Sequence, residues 1–391
     1  MLPIHPSLSA PFLEPQPILP LETMDPYKPC WCGSGEKWKW CHKGREKRKR
    51  ANIGRLLAAL REEYSEGYCS HPEASPHSCS QGIVRAHTIQ RRGGLAEIAE
   101  NGHVISVKAG VDHIFDNEGR LEPKLVGVRS ASTFNGFCGS HDTALFRPVE
   151  VGGTTLSAES VFLLTFRAIA YELFTKRAAL RGVPIQREMD YGVPFFIQAA
   201  MQTHLHWSAE GMKRGLADLE RWKTLYDDAY RQNDLSAFSI YAVEFDGVLP
   251  VVSCGAFHPE VDFDGNQLQI LSRGTAEFDH LAFNLTVLNG VSVAAFGWLG
   301  PNDGPAAALV QSFRRLPDGE KSTAVVQLVF EHLENTYLRP SWWDSLSEEW
   351  RGFALSKLRS GTGLPDAGRG QDALAIRPYP FSMMGVRSVF G

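Results

Sequence analysis

The sequence predicts an α+β protein, with small cysteine-bearing modules at its amino terminus, then a helical segment, then a mostly antiparallel sheet with carboxy-terminal helices. Three observations predict this order. Six of the seven cysteines (Cys30, Cys32, Cys41, Cys69, Cys79 and Cys138) lie before residue 140. Two stretches of helical period, residues 156–180 and 207–234, occupy the middle of the chain. From Phe238 the period changes to two, and helices return only after several strand-like runs.

At 391 residues the chain is long for a single core, so several domains are expected. Residues 1–27 are expected to be a disordered arm. Pro3, Pro6, Pro11, Pro15, Pro17 and Pro20 prevent the apolar helix of a secretory signal, and Met24 offers an alternative start. Residues 28–50 hold the first cysteine cluster and a basic segment. In residues 51–152, Ile53, Leu56, Leu57 and Leu60 fall at helical spacing, and a loop follows from Tyr68 to Ser80. "GIVRAHTIQRR" then reads as a strand and "GLAEIAENGHVISV" as a short helix followed by a strand. Residues 109–130 read as a variable loop, with a turn at Gly136–Gly139 and a helix from near His141.

Residues 153–391 form the expected carboxy-terminal α+β domain. "FSIYAVEF", "LPVVSCGAF", "LQILS", "LAFNLTVL" and "VSVAAFGWL" read as strands, with Asn289-Gly290 as a hairpin turn. "GPAAALVQSFRRL", "TAVVQLVFEHLENTYL" and "SEEWRGFALSKLRSG" read as helices, with Trp342 and Trp343 as packing anchors. His204 and His206 have no third ligand nearby, so surface or structural roles are expected. No glycine-rich phosphate loop, serine nucleophile elbow or dinucleotide fingerprint occurs.

Charge is unevenly placed. Lys28 to Arg61 holds eleven basic residues against Glu36 and Glu46, on a chain of net charge −4. A basic block on an acidic body suggests an anionic partner. No apolar run is long enough to span a bilayer, so no membrane contact is expected and a cytoplasmic location is. Without an export signal, clustered thiols point to metal rather than disulfides.

The first cluster is "CWCGSGEKWKWCH". Cys30, Cys32, Cys41 and His42 supply the four borderline-soft ligands of a tetrahedral zinc ion, and Gly33 and Gly35 permit the tight turn between them. Trp31, Trp38 and Trp40 are expected to cover the site, since so short a segment has little core of its own. This stretch resembles the SEC-C zinc motif over residues 29–44. The resemblance implies a structural zinc and, from the motif's best-known setting, a protein partner.

A second zinc is expected on Cys69, Cys79, Cys138 and His141, two separated pairs as in a treble clef, with His71 and His77 as alternative ligands. The alternative is that Cys69 and Cys79 are ordinary small residues. Between the pairs lies "IVRAHTIQ", and downstream comes Asn135-x2-Cys138-x2-His141. This region resembles the HNH (ββα-metal) nuclease group. The resemblance implies that His87 is a general base, that Asn135 orients it or supports its strand, and that Asp142 holds a catalytic divalent ion such as Mg or Mn. One departure is Ala86, where many HNH enzymes carry an acidic residue. His103 and the pair Asp112-His113 are substitute ligands for that ion.

DNA or RNA is the expected partner of Lys43–Arg50 and of Arg85, Arg91 and Arg92, because lysine and arginine neutralise phosphates. Two functions follow. One is a metal-dependent HNH-like endonuclease, which would suit bacterial defence or mobile elements. The other is a non-catalytic, zinc-stabilised adaptor that docks a protein or ribosomal partner through the SEC-C motif.

Overall fold

In a computed structural model of the chain, which describes residues 17–80, 82–107, 122–150, 153–271, 277–360, 370–375 and 384–391, the period-two runs other than "LQILS" contain strands. Ten are found among the described residues: β1 Ile83–His87, β2 His103–Ser106, β3 Lys124–Gly127, β4 Thr133–Cys138, β5 Phe238–Phe245, β6 Val251–Phe257, β7 Leu281–Leu288, β8 Val291–Leu299, β9 Thr336–Leu338 and β10 Val386–Phe390. Asn289 and Gly290 join β7 to β8, both at positive φ (51° and 80°), as a type I′ turn requires. This turn fixes the register, with Leu288 opposite Val291 and Phe283 opposite Phe296.

Eight strands form one antiparallel sheet in the order β10-β5-β8-β7-β6-β9-β2-β3. The helices, in chain order, are α1 Ile53–Ser65, α2 Ala96–Ile98, α3 Gly139–Glu150, α4 Ala158–Arg187, α5 Phe195–Gln232, α6 Pro305–Arg315, α7 Asp318–His332, α8 Pro340–Ser345 and α9 Glu348–Ser360. β7 and β8 are buried along their whole length because helices cover both faces of the sheet. Tyr241, Val243, Phe283 and Phe296 pack with Leu309, Phe313, Leu328 and Val329 of α6 and α7. The alternate residues Ala242, Ala282, Val293 and Ala295 pack with Phe162, Phe166 and Ile169 of α4 and with Trp222 and Tyr226 of α5.

The face toward α4 is built of small residues so that the helix can approach. A Cβ on Gly297 would lie 2.6 Å from Phe238 Cζ and 2.9 Å from Thr165 Cγ2. Gly297→Val is therefore expected to lower stability by about 1–3 kcal/mol through overpacking. A urea titration checks it: the midpoint should fall with its slope unchanged, and an unmoved midpoint would refute the close approach.

The chain forms two compact units, one from residues 1–63, 176–218 and 273–277, the other from 64–175, 219–272 and 278–391. This differs from the consecutive division at residues 28–50, 51–152 and 153–391, because α4 and α5 each run from one unit into the other. In the first unit, α1 meets α4 where a Cβ on Gly182 would lie 2.9 Å from Leu60 Cδ2, and Arg181 pairs with Glu63 at 2.8 Å. In the second, α4 starts on a reciprocal cap: Ser160 N–H donates to Ser157 Oγ (3.1 Å) and Ser157 N–H to Ser160 Oγ (2.8 Å).

Several expectations change. Of "LQILS", residues 268–271 are described and form no strand; the isolated bridge nearby joins Gln267, just before the run, to Val261. The last residues of "TAVVQLVFEHLENTYL" leave the helix and become β9. Gly136 lies within β4, not in a turn, and α3 begins at Gly139. β2 and β3 belong to the large sheet and not to a separate zinc domain. Residues 1–16 of the expected arm and 109–121 of the expected loop lie outside the described residues. Within 17–27, Ile18 and Met24 pack against the first cysteine cluster. Trp342 and Trp343 are buried core anchors. His204 and His206 both lie on α5, two residues apart, so they cannot face one ligand together.

Candidate metal centres and the ββα module

The first cluster is closed by its own backbone. Pro29 bridges to Lys37, Cys30 N–H donates to Glu36 O (2.7 Å), and Gly33 and Gly35 turn at positive φ (76° and 81°). Cys30, Cys32, Cys41 and His42 are all buried, with ligand atoms within 4.8 Å of one another. His42 Nδ1 lies 3.2 Å from both Cys30 Sγ and Cys41 Sγ, and the Cys32 and Cys41 sulfurs are 3.6 Å apart. That sulfur separation is far beyond the roughly 2.05 Å of a disulfide. A tetrahedral ion with Zn–S about 2.3 Å and Zn–N about 2.1 Å would space such ligands by about 3.6–3.8 Å. The donors fit a metal ion such as zinc. Hydrogen bonds among the three cysteines push the Cys30 thiol up and the Cys32 thiol down, so Cys32 is readily a thiolate.

A polar shell from the α4–α5 turn encloses this cluster. Asp190, fully buried, accepts from His42 Nε2 (3.1 Å), Arg45 Nε (2.5 Å) and Gln202 Nε2 (2.8 Å). Arg187 donates to the Cys32 carbonyl and to Gln202 Oε1, each at 2.6 Å. With Nε2 engaged by the carboxylate, Nδ1 is the nitrogen turned to the sulfurs. Burial would lower the His42 imidazole, but the bonds to Asp190, Cys32 and Cys41 prevail and push it up to about 10. Trp31 and Trp38 cover the cluster as expected, whereas Trp40 does not and is 62% exposed.

The second cluster forms where β4 runs into α3. Cys69, Cys79 and Cys138 place their sulfurs 3.4, 3.6 and 3.3 Å from His141 Nδ1, at or a little inside the roughly 3.6 Å sulfur–nitrogen edge of a tetrahedral ion such as zinc. The Cys69 loop is laid alongside β4 by Tyr68 N–H to Asn135 O (3.1 Å) and Ser70 N–H to Gly136 O (2.8 Å). Neither His71 nor His77 joins the cluster. His71 stacks flat on the His141 ring at 4.0 Å, and burial followed by the neighbouring His141 lowers its imidazole to about 4. For Cys138 the burial penalty is outweighed by hydrogen bonds from Ser140 and neighbouring backbone, which bring it down to about 6.

β1 and β4 pair antiparallel, His87 opposite Thr133, and with α3 they make a ββα unit. His87 is half-buried, and its Nε2 donates to the Val128 carbonyl oxygen at 3.1 Å. Burial lowers its imidazole, and the positive Arg167 and Arg91 add to that against the Val128 bond. Asn135 does not orient His87 by a hydrogen bond: its amide donates to Ser65 O (2.8 Å), which ties β4 to the chain entering the Cys69 loop. Asp142 is raised by burial, partly offset by Arg167, whose Nη2 lies 3.6 Å from its carboxylate.

Arg167 is the residue that sequence reasoning missed. Its guanidinium is buried, stacks on Phe146 at 3.7 Å and pairs with Glu150 at 2.7 Å. Asp142, Phe146 and Glu150 recur every four residues on α3, so one guanidinium meets all three. A lone arginine inside "FLLTFRAIAY" was the available signal. Asp190, in a turn 148 residues from His42, offered none. Of the substitute ligands, His103 starts β2 and bonds to Asn101 O (2.8 Å), while Asp112 and His113 lie outside the described residues.

The basic residues divide by burial. Arg45 is committed to Asp190, whereas Lys43, Lys47, Lys49 and Arg50 are exposed, as are Arg85, Arg91 and Arg92. No helix among the described residues is long and apolar enough to cross a membrane. Comparison with protein-family models, curated proteins and solved structures finds no match to this chain.

Proposed function

We propose that the chain is a zinc protein with a structural ion at each cluster, that it contacts nucleic acid, and that its ββα unit works as an HNH-like endonuclease with His87 as general base. The hydrogen bond from His87 Nε2 to the Val128 carbonyl carries this reading. A carbonyl only accepts, so the proton sits on Nε2 and Nδ1 keeps its lone pair. The lowered imidazole holds that lone pair available at neutral pH. A divalent ion at Asp142 would offset charge developing on the phosphate. Exposed Arg85, Arg91 and Arg92 belong to the same unit and suit a phosphate backbone.

One observation favours the second reading, the non-catalytic adaptor. Arg167 already sets a positive charge against Asp142 and Glu150, where a catalytic cation would need free carboxylates.

Cleavage of DNA and RNA by purified protein in Mg²⁺, Mn²⁺ or Ni²⁺ decides between them. His87→Ala is expected to reduce cleavage roughly 10²–10⁴-fold at unchanged zinc content. The acid limb of the wild-type pH–rate profile should lie below the usual histidine value of 6.5, because the folded imidazole resists protonation. Absence of wild-type cleavage, or equal cleavage by the variant, would leave the adaptor standing.

A further inference from the structure

Two of the three tryptophans in the first cysteine segment are consumed by it, and the third is not. Trp31 and Trp38 are 7% and 6% exposed, while Trp40 is 62% exposed and Tyr27 beside it 65%. Lys39 lies between these rings, its Nζ 4.2 Å from the Tyr27 centroid and 4.6 Å from that of Trp40, and Lys37 Nζ lies 5.5 Å from the Trp40 centroid. The rings are held by backbone: Lys39 N–H donates to Pro26 O (3.1 Å) and Trp38 N–H to Lys28 O (2.9 Å), pairing the segment bearing Tyr27 with the segment bearing Trp40. Arg48 donates to the Trp40 carbonyl (3.4 Å), so the basic segment begins at the same edge.

We propose that Tyr27 and Trp40, with Lys37 and Lys39, form a stacking platform for the unpaired bases of single-stranded nucleic acid. Exposed aromatic faces accept any base, and lysines around them meet the phosphates that join successive bases. Lysine is depleted at the centre of protein–protein interfaces, which disfavours a protein as occupant. The metal-closed knuckle supplies rigidity, so the rings lose little freedom on binding. The platform rests on the reading that this chain contacts nucleic acid, and it adds where and in which form.

The test measures anisotropy of labelled single-stranded and duplex oligonucleotides with the full-length, zinc-loaded protein. The wild type should prefer the single strand. Trp40→Ala should weaken that binding roughly 5- to 150-fold, with zinc content and salt slope unchanged, and Trp40→Phe should restore most of it. A Lys37→Gln, Lys39→Gln double variant should instead flatten the salt dependence, by about 0.7 in log–log slope for each phosphate that is no longer neutralised. If the wild type binds nucleic acid but Trp40→Ala binds equally well, the platform is wrong and the broader reading survives. If no oligonucleotide binds, both fall and a protein partner takes their place.

Discussion

Cys138→Ser protein is expected to lose one of the two zinc ions proposed for the wild type, and more than about 4 kcal/mol of stability. Two of the four ligands at this centre come from a loop whose residues 73–80 are largely exposed. Cys69 and Cys79 belong to the loop between α1 and β1, and His141 stands at the first turn of α3. Among the described residues of that loop, Ser70, His71 and Pro72 are the only consecutive buried run, so apolar burial alone gives it little hold. Metal binding there is folding free energy. The loss should be local first: the loop from Tyr68 to Ser80 should become open to protease while the β7–β8 hairpin, buried on both faces, stays closed. Metal analysis by mass spectrometry and a urea titration check the two parts. Retention of two ions by the variant would remove Cys138 from the ligand set. Acid should release the same ion, since its thiolates must reprotonate.

Asp190→Ala should be nearly as damaging, although Asp190 is no ligand. Removing it leaves Arg45 charged and buried without its partner, and Gln202 and His42 each lose an acceptor. Breaking such a buried pair costs about 3–5 kcal/mol. Freeing His42 Nε2 also loosens the imidazole that presents Nδ1 to the sulfurs, so zinc at the first centre should be held roughly 10- to 100-fold more weakly. Competition with a chromogenic chelator measures this at one centre, because the second has no tie to Asp190. An unchanged chelation midpoint would show that the shell does not act on the ion.

Much of the strand pattern could be read directly. β5, β7 and β8 begin and end where the alternating runs do, because period two and the Asn289-Gly290 turn are local signals. β3, β9 and β10 were missed for the opposite reason: they are three to five residues long and gain their pairing from distant strands. Both Cys/His clusters were legible because cysteine is scarce and coordination would constrain its spacing. Asn135 left two roles open, orienting His87 or supporting its strand, because one residue type serves either, and only the fold selects Ser65 O as its acceptor. Arg167 was marked only as a lone charge in an apolar run, and Asp190 not at all, since its partners lie far along the chain.

The separation of His42 and Arg45 from Asp190, by 148 and 145 positions, has a consequence for biosynthesis. At about 5–20 residues per second, the cysteine knuckle is translated roughly 7–30 seconds before the carboxylate that completes its shell. The knuckle's polar shell is therefore completed only once the α4–α5 turn has been made. On the proposal that the knuckle takes zinc, a shortage of the ion would act first on nascent chains.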